Sequence, residues 1–257
     1  MCEKGLGIFL KILMLGNKES GKTTYMASAF GLLSSGMGGF KLTTDYDSER
    51  WFRDLFHDIQ NGRYPSPTNK RSRYCLSLCR QQRKILDFEW LDYNGGVITE
   101  KSIDNLKDDI RSTDGLMIFL EAKALLNHVE SIHKFGRIVR LIHRKLEDEN
   151  CPLFSVIVVI TKYDEISNCF SFNSVIEPIK GFIYNVSKND RIYCNVIPVF
   201  CTSKSFFNVE IPLFDLLDSG LILAFLKAAA SFETEECRSL KQDREALALY
   251  IQKNTCQ

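Results

Sequence analysis

Lys22 and Thr23 end the stretch Gly16-Asn17-Lys18-Glu19-Ser20-Gly21-Lys22-Thr23, which fits the pattern G-x-x-x-x-G-K-[ST]. The chemistry that needs this spacing is the holding of a chain of phosphates. Gly16 and Gly21 let the backbone curl where a Cβ would clash, so successive N–H groups point at one anion. Lys22 is placed to reach β- and γ-phosphates, and the Thr23 hydroxyl is placed to meet Mg²⁺. The expected phosphate-binding set is Asn17, Lys18, Glu19, Ser20, Gly21, Lys22, Thr23 and Thr24. Such a loop works only between a strand and the start of a helix. Both flanks are there: the apolar run Ile8 to Leu15 reads as a buried strand, and Tyr25 to Leu33 as a helix. A glycine turn matching the pattern by chance would need neither flank.

Three later segments narrow the ligand. Leu91-Asp92-Tyr93-Asn94-Gly95-Gly96 is D-x-x-G at the end of an apolar strand. Asp92 there would orient the water shell of Mg²⁺, and the Gly95 N–H would meet the γ-phosphate. Thr161-Lys162-Tyr163-Asp164 follows the β-branched run ending at Ile160 and resembles the [NT]-K-x-D guanine motif. Asp164 would accept from the guanine N1–H and 2-amino group, a pair that adenine lacks, while the Lys162 stem lies along the base. Thr202-Ser203-Lys204 resembles the [ST]-A-K loop that supports guanine, with Ser203 in the Ala place. Each short segment also reads as an ordinary turn at a strand end. Their order, and their placement at the carboxyl ends of strands, favours the ligand reading.

The ordered set GNKESGKT, DYNG, TKYD and TSK resembles the Ras-like and translation-factor-like class of P-loop GTPases, over roughly residues 9–230. The GRYPSPT and LDYNGG stretches also look like the bacterial double-GTPase families. The resemblance implies a three-layer α/β fold, a mostly parallel sheet with one antiparallel hairpin strand and helices on both faces. It implies GTP and GDP as ligands, Mg²⁺ as cofactor, and a GTPase switch. A protein effector or regulator and a nucleotide-dependent dimer are the partners it implies. The metal set carried over is Thr23, Thr68 and Asp92; the catalytic set is Lys22, Thr68 and Gly95.

Thr68 is chosen over Thr43 and Thr44 because the switch Thr must closely precede the hairpin. Two strands of ~6 residues with their turn and lead-in occupy on the order of 20–25 positions before Asp92. Thr68 falls within that span and Thr44 does not. Residues 45–61 then form a helical insert. Where Ras-like enzymes place a Gln after the D-x-x-G glycine, this chain has Gly96, so unassisted hydrolysis is expected to be slow. Lys18 and Glu19 occupy loop positions often kept small in Ras-like proteins. Arg63, Arg71 and Arg73 are candidates for an arginine supplied in cis. Gly96 also keeps open a second reading, a non-catalytic GTP-binding scaffold; an ATPase is disfavoured by Lys162 and Asp164.

The elements that must hold these residues follow from periodicity. Asp45 to Asn61, with Trp51, Phe52, Leu55, Phe56 and Ile59, has helical spacing closed by Gly62. Tyr64-Pro65-Ser66-Pro67-Thr68-Asn69-Lys70 reads as an exposed loop. Tyr74 to Cys79 and Ile85 to Leu91 read as a hairpin turning at Arg80 to Arg83. Strand and helix then alternate: a helix with Ile103, Leu106 and Ile110, a strand Gly115 to Leu120, and a helix through Val129 to Ile142. A strand Phe154 to Ile160, a helix near Val175 to Tyr184, a strand Ile192 to Phe200 and a helix Leu221 to Ala230 follow. Residues 1–230 are expected to be one GTPase domain and residues 231–257 a charged, helical extension.

A chain of 257 residues with net charge +1 is long enough for a substantial core and carries no polyelectrolyte signal for nucleic acid. No run reaches the ~18 apolar residues of a membrane span, and no signal-peptide core or lipidation motif is evident. The nine cysteines include one close pair, Cys75 and Cys79 in C-x₃-C, and no metal-finger spacing. Structural thiols in the reducing cytoplasm are the expectation.

Overall fold

Alternate side chains of the first strand, β1 (Phe9–Gly16), go to opposite helix layers. Leu10, Ile12 and Met14 join one core, and Leu13 and Leu15 the other. That is the signature of a strand buried on both faces. The computed structural model describes residues 9–66, 71–93, 103–127, 129–146, 154–230 and 234–255. After β1 come α1 (Lys22–Ser34), β2 (Phe40–Thr44), α2 (Tyr46–Gln60), β3 (Ser72–Arg80), β4 (Arg83–Asp92) and α3 (Ile103–Ser112). Then follow β5 (Gly115–Glu121), α4 (Ala122–Asn127), α5 (Val129–Leu146), β6 (Phe154–Thr161), α6 (Phe172–Ile176), α7 (Lys180–Ser187) and β7 (Ile192–Pro198). The short strands β8 (Phe200–Cys201) and β9 (Phe206–Phe207) pair with each other, and α8 (Ile211–Ala230) and α9 (Thr234–Thr255) close the chain.

The main sheet has seven strands in the order β2-β3-β4-β1-β5-β6-β7. β3 alone runs antiparallel to its neighbours; the other pairings are parallel. One core carries side chains from α1, α2, α8 and α9; the other carries those of α3, α5, α6 and α7. The molecule is therefore a three-layer α/β structure with a mostly parallel mixed sheet.

Several boundaries differ from the sequence reading. The segment before Asp45 is not only a connection: Phe40–Thr44 forms the edge strand β2, pairing Phe40 with Arg80 and Thr44 with Leu76. Its run of five residues is too short to show a period against the glycines before it. The helix after it is capped by Asp45, whose carboxylate accepts from the Ser48 N–H at 3.0 Å. It packs by stacking Phe52 on Phe30 at 4.6 Å and Trp51 on Tyr74 at 5.0 Å. The hairpin turns on Gln81 and Gln82 alone, with φ of 48° and 68°, the left-handed pair that suits a two-residue loop. Pro178 divides the helix expected over Val175 to Tyr184 into α6 and α7.

The helix expected from Leu221 begins at Ile211. Pro212 stands in its first turn, where the missing N–H has no partner to lose, and Ile211 through Leu217 are all buried. A helix covered all round shows no amphipathic stripe, which hid its start. The charged segment after it is the helix α9, whose Leu240 and Leu247 are buried in the same core as α1 and α8. Its Asp243 is buried and pairs with Arg80, at 3.2 Å, and with Arg83, the two residues flanking the hairpin turn. Cys75 is exposed and Cys79 buried, the register of β3 shifting at Leu78/Cys79. Among the described residues no helix is long and apolar enough to cross a membrane.

Candidate functional site

The parallel strands β1, β4 and β6 bring Gly16, Asp92 and Thr161 to one edge of the sheet, the carboxyl edge where ligands of open α/β folds bind. A cavity of about 510 Å³ lies there, within the range of small-molecule sites. Lys18, Glu19, Ser20, Gly21, Lys22, Thr23 and Thr24 line it from the glycine loop and the start of α1. Thr161 lines it from the end of β6, Lys162 and Asp164 from the segment after, and Thr202 from the segment after β8. Three motifs far apart in sequence thus share one cavity.

The loop geometry follows from its residue types. A Cβ on Gly16 would lie 2.7 Å from the Phe119 carbonyl oxygen, so only glycine fits between β1 and β5. Gly21 precedes α1 with φ of 81°, in the left-handed region. No side chain caps α1 and its first turn holds no acidic residue, so its first N–H groups are left for an anion. The Ser20 N–H donates to the Asn17 carbonyl at 3.3 Å, and Glu19 at φ 65° completes that turn.

Lys22 is buried, and its ammonium donates to the carbonyls of Gly16 at 3.2 Å and Asn17 at 3.1 Å. Burial lowers its pKa, opposed by the charge of Asp92. Asp92, at the end of β4, lies with Oδ2 3.5 Å from the Thr23 hydroxyl. Burial pushes its carboxyl up to about 6, against the pull of Lys22 and Thr23. Its Oδ1 is buried and has no hydrogen-bond partner among the described residues. A hydroxyl beside an orphaned carboxylate oxygen fits a small hard cation bound through oxygen and water, so the residues present suit Mg²⁺.

The other end of the cavity is tied down. The Thr161 hydroxyl bonds the Ser20 carbonyl at 2.9 Å, which fixes the Thr161–Asp164 segment to the glycine loop. Lys162, at φ 54°, pairs with Glu121 at 3.0 Å. The Asp164 carboxylate faces the cavity with no hydrogen bond or ion pair among the described residues. The Thr202 hydroxyl accepts from the Ser205 N–H at 3.0 Å and closes its own turn. Partly buried Cys201 has its thiol pushed up to about 12, chiefly by desolvation, which keeps it protonated.

Not every expected site residue lines the cavity. The Asn17 side chain turns to α5, its amide donating to the Ser131 hydroxyl at 3.3 Å, although its carbonyl holds Lys22. Ser203 and Lys204 are exposed and stand outside the lining. Thr68, Gly95 and Gly96 lie outside the described residues. Thr44 donates its hydroxyl to the Cys75 carbonyl at 2.6 Å, on the edge strand, and Thr43 lies 3.7 Å from the Cys79 sulfur. Sequence reasoning missed Tyr64, Pro65 and Ser66, which line the cavity from a loop read only as exposed. It also missed Glu121 and Ser131, whose roles depend on pairing across the sheet edge.

The chain matches no protein-family model and no curated protein sequence.

Proposed function

We propose that this protein is a guanine-nucleotide switch with the fold of a P-loop GTPase, binding GTP and GDP with Mg²⁺ and hydrolysing GTP slowly. The observation that carries the reading is one cavity lined at once by the uncapped start of α1, by Lys22 and by the unpartnered Asp164 carboxylate. The first two suit phosphates and the third suits the guanine edge. Lys22, Thr23 and Asp92 would hold the phosphate end, with Thr68 and Gly95 completing it. Mg²⁺ would neutralise charge between the β- and γ-phosphates. Tyr64, Pro65 and Ser66 line the cavity just ahead of Thr68, which supports Thr68 rather than Thr44 as the switch residue. A protein effector or regulator and a nucleotide-dependent dimer belong to the same reading.

Affinity for GTP, GDP and ATP with Mg²⁺, for the wild type and Asp164→Ala, tests it, with phosphate release followed in the same samples. The wild type is expected to prefer guanine over adenine by ~10²-fold or more, as for a site that hydrogen-bonds a group its competitor lacks. Asp164→Ala should lose that preference. Equal affinity of the wild type for ATP would sink the guanine assignment. A second reading, a non-catalytic GTP-binding module, is favoured by Gly96 in place of a water-orienting Gln; guanine binding without phosphate release would select it.

A further inference from the structure

If the cavity holds GTP, negative charge gathers on the terminal phosphate as it is cleaved, and a cation placed there speeds the step. The arginines nearest the switch are committed elsewhere. Arg63 forks onto Asp58, with Nε at 3.0 Å and Nη2 at 2.5 Å from one oxygen. Arg71 bonds Asp109 at 2.9 Å while its guanidinium lies 4.8 Å from the centre of the Tyr93 ring. Arg73 pairs with buried Glu89 at 2.8 Å. None of the three lines the cavity.

Among the described residues the lining holds three cations, Lys18, Lys22 and Lys162. Lys22, the phosphate-end lysine of the reading above, is held by the carbonyls of its own loop, and Lys162 is paired with Glu121. Lys18 makes no hydrogen bond or ion pair with a described residue, and it is exposed on the cavity wall. Its backbone, in contrast, is fixed. Lys18 and Glu19 are the corner residues of the turn closed by the Ser20 N–H on the Asn17 carbonyl. That turn is anchored at one end by Asn17 on Ser131 and at the other by Thr161 on Ser20.

The position along the loop decides what Lys18 would meet. Ser20 and Gly21 lie against Thr161 and so face the Asp164 end. Asn17 and Lys18 are the opposite half, continuing from Gly16 where β1 runs beside β4 and Asp92. A nucleotide with its base at Asp164 has its terminal phosphate toward that half.

We propose that Lys18 is a catalytic cation supplied in cis, its ammonium neutralising the γ-phosphate oxygens as GTP is cleaved; the proposal rests on the GTPase reading above. The oxygen of water bonds to the γ-phosphorus while the bond to the β–γ bridging oxygen breaks, its electron pair leaving on GDP. One proton of the water stays on the released phosphate and the other passes to solvent. Lys18 keeps its own proton throughout.

Single-turnover phosphate release and GDP affinity, with and without aluminium fluoride, test this on the wild type, Lys18→Ala and Lys18→Arg. Lys18→Ala is expected to slow release by ~10²-fold, the scale of losing one preorganised charge-stabilising group. It should also lose the extra affinity that aluminium fluoride gives GDP, and recover on Lys18→Arg. An unchanged urea midpoint shows that the variant is folded. Wild-type turnover in Lys18→Ala, or a wild type that binds GTP and releases no phosphate, would overturn this inference alone. A wild type that binds no guanine nucleotide would overturn the underlying reading and this inference with it.

Discussion

Two buried carboxylates sit at opposite ends of the β3–β4 hairpin, and their surroundings differ. Asp243, 2% exposed, reaches from α9 to the hairpin turn and finds Arg80 and Arg83 on its two oxygens. Asp92, 1% exposed, ends β4 with one oxygen near Thr23 and the other without a partner among the described residues. A buried charge is retained in a fold when partners satisfy it, or when a ligand does so in the working state. The first aspartate holds the molecule together. The second lies beside the glycine loop, where Asn17 Oδ1 and Ser20 Oγ are also buried without partners among the described residues.

The largest effect is expected at the satisfied end. Asp243→Asn leaves two guanidinium groups facing a neutral amide where a carboxylate had bound both. Breaking a buried pair costs ~3–5 kcal/mol, and the two arginines keep some solvent, so about 3 kcal/mol is expected here. Urea unfolding measures it directly. Loss of less than about 1 kcal/mol would show that α9 is held by its other contacts, Leu240, Leu247 and Tyr250 among them, and the contrast between the two aspartates would fail.

Thr161→Val tests the fixed end of the cavity at a smaller scale. The substitution nearly keeps the shape and removes the hydroxyl that bonds the Ser20 carbonyl. An unsatisfied buried acceptor costs ~1–3 kcal/mol, so a loss of about 1–2 kcal/mol is expected in the same titration. Amide exchange should rise in the glycine loop and not in α9. Uniform acceleration across both would mean that Thr161 supports the whole sheet rather than the loop.

How much of this could be read from residues alone follows from the range of each interaction. That Gly16 to Thr23 follows a strand and opens a helix, and that Thr161 to Asp164 ends a strand, was legible because those placements depend on neighbours a few positions away. The hairpin was legible from alternation, and its turn was narrowed only by the left-handed Gln81 and Gln82. What stayed hidden is long-range: Asn17 with Ser131 is 114 residues apart, Lys162 with Glu121 is 41, and Arg80 with Asp243 is 163. No local period encodes those pairs. The edge strand β2 and the start of α8 were hidden for the opposite reason. One is too short for a period, and the other is buried on every side, Asp215 included.

At the unsatisfied end the expected stability change is the smallest and the most informative. The Asp92 carboxyl is pushed up to about 6, above its unfolded value, so its contribution is most favourable at low pH and is lost as pH rises through that value. At neutral pH the buried carboxylate opposes folding by on the order of 2–3 kcal/mol. Asp92→Asn removes that opposition, a figure in which the pull of Lys22 is already counted, and buries in its place an amide with one end meeting no described partner, a cost of ~1–3 kcal/mol. The two changes offset, and the free protein is expected to shift by less than about 1 kcal/mol in urea. The stabilisation by GTP with Mg²⁺ over GTP with a chelator, read as a shift in Tm, should vanish in the variant. A loss of free stability equal to that of Asp243→Asn would place both aspartates in the same structural role. A metal-dependent shift that survives Asp92→Asn would move the cation away from β4, leaving Thr23 as the point from which to search for it.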